Sequence, residues 1–499
     1  MRKMMLINPH PPGRHGEESI SVIVQMPLNL AYIAALTTGD WEFDVIDENI
    51  ELALDDNGDI TFEPVDMVCI TSVTYQVPRA YQIAEVCRKK GMTVIMGGIH
   101  ASVVPEEASK YVDAIFIGEA ETLWPQVIKD FENGELKKRY EGGLPGLSEM
   151  KHVFPDRDLL KKKYDYKFSS IVTTKGCPNY CDFCSVPTFQ GKKYRERPFE
   201  DVLDEMESTD YKGLMFAEDN FYGHSKNSAN RAKDLFRGMI DRGIKKDWLG
   251  FTALNISKDA EVLDLMAKSG NFGFLCGIES TNEAVLEKMN KTTNLRIGAD
   301  KYFESVQKIH DHGLVVWGSI VLGADGDDKD SFKRMTEFVL QNNIDVLTFG
   351  INCPFPKTAL YDRLDSEKRI FRKNYPEDWK YYDTAHVVHR LIDMNLEEFI
   401  EGMQYMYDNL YAGDNLRMRF RKSLQTIGST PHGKRNAMFG FRVGSDWTQV
   451  FEQVLENLRK LYDSGDYYQD WYKSSAVTVP SDKEIGRASC RERVEISVV

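Results

Sequence analysis

Ser170-Ile-Val-Thr-Thr-Lys-Gly-Cys-Pro-Asn-Tyr-Cys-Asp-Phe-Cys-Ser185 is the stretch on which the fold turns. Residues 170–174 read as a short strand, and the cysteines beyond it, Cys177, Cys181 and Cys184, are spaced by three residues and then by two. Thiolate sulfur is the usual protein ligand of iron-sulfur clusters, and a set of only three ligands leaves one iron of a cubane open to a further molecule. A structural zinc site needs a fourth ligand at its own spacing. Neither a second Cys-x-x-Cys nor a His pair follows nearby, and the nearest downstream histidine, His224, stands alone. Zinc and unligated buried thiols remain the alternatives.

Downstream of the cysteines, short apolar runs alternate with amphipathic stretches. Candidate strands at 170–174, 213–217, 249–253, 272–278, 314–322 and 346–351 predict a partial (β/α)6 barrel of the TIM type. Its active side is the carboxyl edge of the strands, where the cysteine loop falls. Glu218-Asp-Asn220, Asn255, Glu279-Ser280 and Gly323-Ala-Asp325 end successive strands on that edge. Any one of these carboxylates alone could cap the helix that follows; their convergence favours ligand binding. Cys353, after the last strand, reads as a small residue packed beneath a turn, with a second catalytic thiol as the alternative.

Upstream, Met4–Ile7 and the runs at 43–46, 67–70, 93–96 and 114–117 are short and continuously apolar, with helical stretches such as 77–90 between several of them. That pattern predicts a doubly wound, Rossmann-like parallel sheet that binds ligand at its strand ends. Thr71-Ser-Val-Thr74 and Gly97-Gly-Ile-His100 are two such ends, where hydroxyls and bare backbone let a large cofactor approach closely. An ordinary tight turn is the alternative.

With Phe183 before its last cysteine, the triad resembles the signature of the radical S-adenosylmethionine (radical SAM) enzymes. The resemblance implies a 4Fe-4S cluster on Cys177, Cys181 and Cys184 whose open iron chelates S-adenosylmethionine and whose electron releases a 5'-deoxyadenosyl radical. It further implies that Glu218 and Asp219 meet the amino group, that Glu279 and Ser280 contact ribose and carboxylate, and that Asn255 completes the cofactor set. Asp66-Met-Val-Cys-Ile-Thr-Ser-Val-Thr74, Gly97-Gly-Ile-His-Ala-Ser-Val-Val-Pro-Glu106 and Ile117-Gly-Glu-Ala-Glu121 resemble the cobalamin-binding domain that precedes the barrel in one large subfamily. Cobalamin is then expected against Thr71, Ser72, Thr74, Gly97 and Gly98. Many cobalamin proteins carry Asp-x-His-x-x-Gly after the first strand, but here the loop reads Asn8-Pro-His10-Pro-Pro-Gly13. His10 is therefore read as an exposed loop histidine and not as a cobalt ligand. The chemistry the resemblance implies is methyl transfer to an unactivated carbon. Cyclisation or rearrangement without methyl transfer, and a non-catalytic iron-sulfur carrier or sensor, are the other readings; no individual catalytic residue is assigned.

The 499 residues exceed what one core usually supports. The expected divisions are a cobalamin-binding-like domain at 1–140, a linker at 141–168, the barrel at 169–357, a mainly helical region at 358–483 and, at 484–499, a stretch set apart. That last stretch, beginning Glu484-Ile-Gly-Arg-Ala-Ser-Cys490, reads as the translation of a sequencing-adapter oligonucleotide and is excluded from fold reasoning. A formal charge of -14 without a concentrated basic stretch argues against a nucleic-acid partner, and the densest basic run, Lys161-Lys-Lys163, reads as a solvated linker. Neither a signal peptide nor a membrane-spanning apolar run is evident, so a cytoplasmic enzyme is expected. Its partners would be a small-molecule or lipid-like substrate and an external electron donor. Cys69, Cys87, Cys276 and Cys353 lie in apolar segments and are expected as free thiols.

Overall fold

The structure, a computed structural model, describes residues 1–10, 26–148, 153–161, 163, 164, 166 and 168–467. The cysteine of the adapter-like tail and Gly13 lie outside the described residues. Two parallel sheets organise the chain.

The first holds β1 (Arg2–Asn8), β2 (Trp41–Asp47), β3 (Met67–Thr71), β4 (Thr93–Gly97), β5 (Ala114–Gly118) and β6 (Arg139–Gly143) in the order β2-β1-β3-β4-β5-β6. Met4 to Ile7 and Met67 to Ile70 are buried throughout, as strands covered on both faces require. Helices Val77–Lys89 and Trp124–Glu132 follow β3 and β5. Because the chain runs from β1 outward to β2 and then returns to β3, the crevice at the carboxyl ends of β1 and β3 is the switch point where such sheets bind ligands.

The second sheet holds β7 (Phe168–Ile171), then, after the antiparallel pair β8 (Thr174–Lys175) and β9 (Arg195–Glu196), the strands β10 (Gly213–Phe216), β11 (Asp247–Thr252), β12 (Asn271–Glu279), β13 (Val315–Leu322) and β14 (Val346–Ile351). The order is β14-β13-β12-β11-β10-β7 with every pair parallel, an open half barrel with β7 and β14 as its edges. The expected single strand over 170–174 is divided. β7 pairs with β10, and its continuation turns into β8 to pair with β9 across the cysteine loop.

The two sheets share one continuous apolar core that includes Leu6 of the first, Leu30 of the helix Leu28–Leu36, Phe216 and Trp248 of the second, and Phe451 near the carboxyl end. The region after the barrel divides its work. Helices Leu396–Leu410, Asn415–Ile427 and Pro431–Ser464 close over the second sheet, and Gly440 of the last brings its backbone near Val315 and Val346. The segment before them turns back to the first sheet, where Trp379 and Tyr382 join the core of Val77, Tyr81 and Val94. Cys353 is buried in that same core, and burial pushes its thiol well up, as a packing residue requires. Cys69, Cys87 and Cys276 are likewise free and buried. Lys161 and Lys163 are not merely solvated: Lys161 pairs with Asp210, and Lys163 reaches Asp44, Glu51 and the Val45 carbonyl.

Candidate active site between the two sheets

The carboxyl ends of the two sheets face a common cavity of about 760 Å³. Asn8, Thr71, Gly97, Gly98 and Gly118 line it from the first sheet, and Ser170, Val172, Lys175, Gln190 and Ala217 from the barrel. Three of the five expected cobalamin contacts, Thr71, Gly97 and Gly98, thus reach the cavity wall. Ser72 and Thr74 lie behind it: Ser72 Oγ is buried without a hydrogen-bond partner, and Thr74 Oγ1 lies 3.5 Å from His100 Nδ1. Gly98 has φ +92°, and a Cβ there would come within 2.8 Å of Ser72 N, Ser72 O and Thr71 Oγ1. Only glycine fits the turn and leaves the cradle open. An orphaned hydroxyl beneath bare backbone, with the charges of the wall paired among Glu119, Glu121 and Lys175, suits a large macrocycle held by shape, so the residues fit a corrin.

His10 is not the exposed residue expected. It is 4% accessible, its backbone N–H donates to Glu48 Oε2 at 3.1 Å, and Gln76 Nε2 donates to the Pro9 carbonyl at 2.6 Å. Buried Glu48, itself paired with Arg79, draws the His10 backbone inward. His10 is not among the residues lining the cavity.

At the barrel edge, the thiols of Cys177, Cys181 and Cys184 are partly accessible and lie in one electrostatic neighbourhood. Burial raises the pKa of all three, to about 12 for Cys184, while Lys291 opposes that rise at each of them. The charge of Cys177 is felt at Cys181, and that of Cys181 at Cys184. The loop is tied down on several sides: Cys177 N–H donates to the Gly191 carbonyl, Asp182 N–H to that of Met289, and Leu360 N–H to the Asp182 carbonyl. Among the described residues, no three His, Cys, Asp or Glu side chains converge closely enough for a single metal ion. A cubane presents a separate iron to each thiolate, so a spread triad that leaves one corner free fits its donor chemistry.

The carboxylates expected beside the cluster divide. Glu218 is 2% accessible and is taken up by Thr173, whose N–H and hydroxyl both donate to it; burial pushes its carboxyl up to about 7. Asp219 stays accessible, its carboxyl pushed up to about 6 by the surrounding protein, and its charge is felt at Cys177 and Cys184. Asn255, in the turn after β11, has a buried Oδ1 with no partner. Ser280 Oγ accepts from Asn282 N–H at 3.1 Å, so it also stabilises the turn into the next helix. Glu279 pairs with Lys291.

Two groups were not legible as site residues. Glu119 and Glu121, beyond β5, form ion pairs across the domain boundary, with Lys175 at 3.2 and 2.7 Å and, for Glu119, with Arg195. These cations flank the cysteine loop, so the pairs lock that loop to the first sheet. Their signal was the pairing of two acids after one strand with basic residues on either side of the cysteines. Lys291 lay too far along the chain from the triad to be singled out.

Family comparisons agree with this geometry. A B12 binding domain matches residues 24–128 and the radical SAM superfamily residues 171–339, together more than half of the chain. The chain is 29% identical over 409 residues to the bacteriochlorophyllide d C-12(1)-methyltransferase of Chlorobaculum tepidum, covering 80% of this chain and 85% of that protein. It is 27% identical over 353 residues to the hopanoid C-2 methylase of Rhodopseudomonas palustris, covering 69% and 65% respectively. In fold it resembles TsrM, a radical SAM methyltransferase from Kitasatospora setae solved with cobalamin and a 4Fe-4S cluster, with a TM-score of 0.60 at 16% identity over 92% of this chain and 99% of that one. With the B12-type sheet first and the cysteine-bearing half barrel second, the chain belongs to the radical S-adenosylmethionine enzymes that carry a cobalamin-binding domain.

Proposed function

We propose that this enzyme, working with a 4Fe-4S cluster, S-adenosylmethionine and cobalamin, transfers a methyl group to an unactivated carbon of a small-molecule or lipid-like substrate. The cofactors bring the hard chemistry, reductive cleavage of the sulfonium by the cluster and a transferable methyl group on the corrinoid, while the protein binds, orients and shields. Cys177, Cys181 and Cys184 would hold three irons. Asp219 offers an acceptor to the ammonium of S-adenosylmethionine, with Asn255 Oδ1, Glu279 and Ser280 as further contacts and Glu218 supporting the strand end from behind. Thr71, Gly97 and Gly98 would form the corrin wall, backed by Ser72 and Thr74.

The observation that carries this reading is the cavity walled jointly by the strand ends of both sheets. A group seated there lies between the first sheet and the cysteine-bearing edge, as transfer between two cofactors requires. The named activities of the relatives, on a chlorophyll-type macrocycle and on a hopanoid, support methylation and a bulky apolar acceptor. The divisions expected at 1–140, 141–168, 169–357 and 358–483 are kept as the proposed functional units, with the first carried on to Gly143 and the barrel begun at Phe168 so that β6 and β7 stay whole. Among the described residues no helix is long and apolar enough to cross a membrane; a cytoplasmic location, an external one-electron donor and the lack of a nucleic-acid partner complete the proposal.

Anaerobic reconstitution with iron, sulfide, cobalamin, S-adenosylmethionine and a reductant tests it. Bound corrinoid with formation of both 5'-deoxyadenosine and S-adenosylhomocysteine is the expected result. Deoxyadenosine without homocysteine product, when candidate acceptors are supplied, would remove methyl transfer in favour of another radical reaction.

A further inference from the structure

The end of β12 has an unusual build for a purely structural corner. Its register shifts between Gly277 and Glu279, and Glu279 adopts φ +60°, a left-handed conformation that is strained for a non-glycine residue. A Cβ at Gly277 would lie 2.2 Å from Glu279 Oε1 and 2.9 Å from Lys291 Nζ, so only glycine leaves room for that ion pair. Lys291 stands between helices Glu283–Lys288 and Thr292–Ile297, its N–H donating to the Leu286 carbonyl at 2.9 Å. Its Nζ lies 5.7 Å from the centre of the Phe183 ring, the residue before Cys184. The bulge, the glycine and the strained backbone all serve to hold one ammonium over the cysteine loop.

The pair is polarised. Burial disfavours the ammonium, but the Glu279 carboxylate outweighs it and keeps Lys291 charged. Lys291 is felt at Cys177, Cys181 and Cys184, whereas Glu279 is felt among them only at Cys181. With its Nζ 5.7 Å from the ring of Phe183, which stands between Cys181 and Cys184, the ammonium is the end of the pair that meets the cysteine loop. Reduction of a cluster adds a negative charge to a poorly solvated site, where a fixed cation nearby favours the reduced form.

We infer that Lys291 is a positioning residue for the cluster: the Lys291–Glu279 pair turns its cationic end toward the cysteine loop and raises the reduction potential of the cluster held there. This rests on the cluster assignment above. It assigns Lys291 an effect on electron acceptance that is present before S-adenosylmethionine binds.

The test is iron and sulfide content together with a redox titration followed by electron paramagnetic resonance, on anaerobically loaded protein without S-adenosylmethionine. K291M is expected to lower the midpoint by at least the equivalent of a tenfold change in the one-electron equilibrium, about 59 mV. K291R is expected to restore it, and E279Q, which keeps the lysine and removes its counter-charge, to shift it upward. Should K291M fail to load, E279Q decides: a raised midpoint supports the inference and an unchanged one overturns it. Loaded K291M with the wild-type midpoint also overturns it. Wild-type protein without iron and sulfide would overturn the cluster assignment itself, a distinct result.

Discussion

The two sheets use the same edge for opposite kinds of binding. At the ends of β3 and β4 the first presents threonine, glycine and bare backbone to the cavity, with Ser72 and Thr74 behind the wall and the paired acids Glu119 and Glu121 to one side. The second presents ionisable groups: three thiols, Glu218 and Asp219, all raised by desolvation, and the Lys291–Glu279 ion pair. A parallel sheet supplies the place for a ligand. Whether that place recognises shape or charge is set by a few residues at the strand ends, and here one chain carries both solutions face to face.

Substitutions that disable one edge and spare the other put this contrast to the test. The largest effect is expected from Cys181→Ala, which removes a cluster ligand. Iron-dependent absorbance and sulfonium cleavage should disappear while corrinoid binding by the first sheet persists; loss of both would show that the two edges are not separable. Gly98→Val should do the reverse. Its side chain meets Ser72 and Thr71 at 2.8 Å in a φ +92° conformation, so corrinoid retention should be lost with iron and sulfide unchanged. Retained corrinoid would mean that the cavity is not the corrin site.

The smallest effect is expected from Glu218→Gln. The folded protein raises this carboxyl from 4.5 to about 7, so its stability contribution is complete below about pH 4.5 and is lost as pH rises through about 7. The shift corresponds to about 3 kcal/mol. The amide cannot ionise, so the thermal midpoint of E218Q should fall less than that of wild type between pH 5 and 8. Parallel pH profiles for the two proteins would show that Glu218 is not shifted as described.

Much of this was legible because buried parallel strands write themselves as continuous apolar runs. Met4 to Ile7 and Met67 to Ile70 could be placed to within a residue or two. β6 could not: Arg-Tyr-Glu-Gly-Gly buries only Tyr140, and an edge strand with so little apolar content has no periodic signal. In the helix Pro431–Ser464, Gly433, Gly440 and Gly444 are points of close packing, where a Cβ would meet the Ile427 carbonyl, Val346 and Leu416, and such contacts leave no local signal in sequence. In the site, the ligand-bearing string was legible because its residues are neighbours in sequence. Lys291, and the partnership of Glu119 with Arg195, depend on folding to bring distant segments together. Asp219 and Glu218 show the same limit at closer range, since adjacent carboxylates took different tasks according to which one Thr173 reached.

The charge pairs that join Glu119 and Glu121 to Lys175 and Arg195 have a kinetic corollary. Each joins the first sheet to the cysteine-bearing segment beside the cavity, and Arg195 and Glu119 are largely withdrawn from solvent. Parting the seam strands opposite charges in a poorly polarisable setting, a cost that dissolved ions do little to relieve. Separation of the two segments at this point would therefore be slow and nearly indifferent to ionic strength.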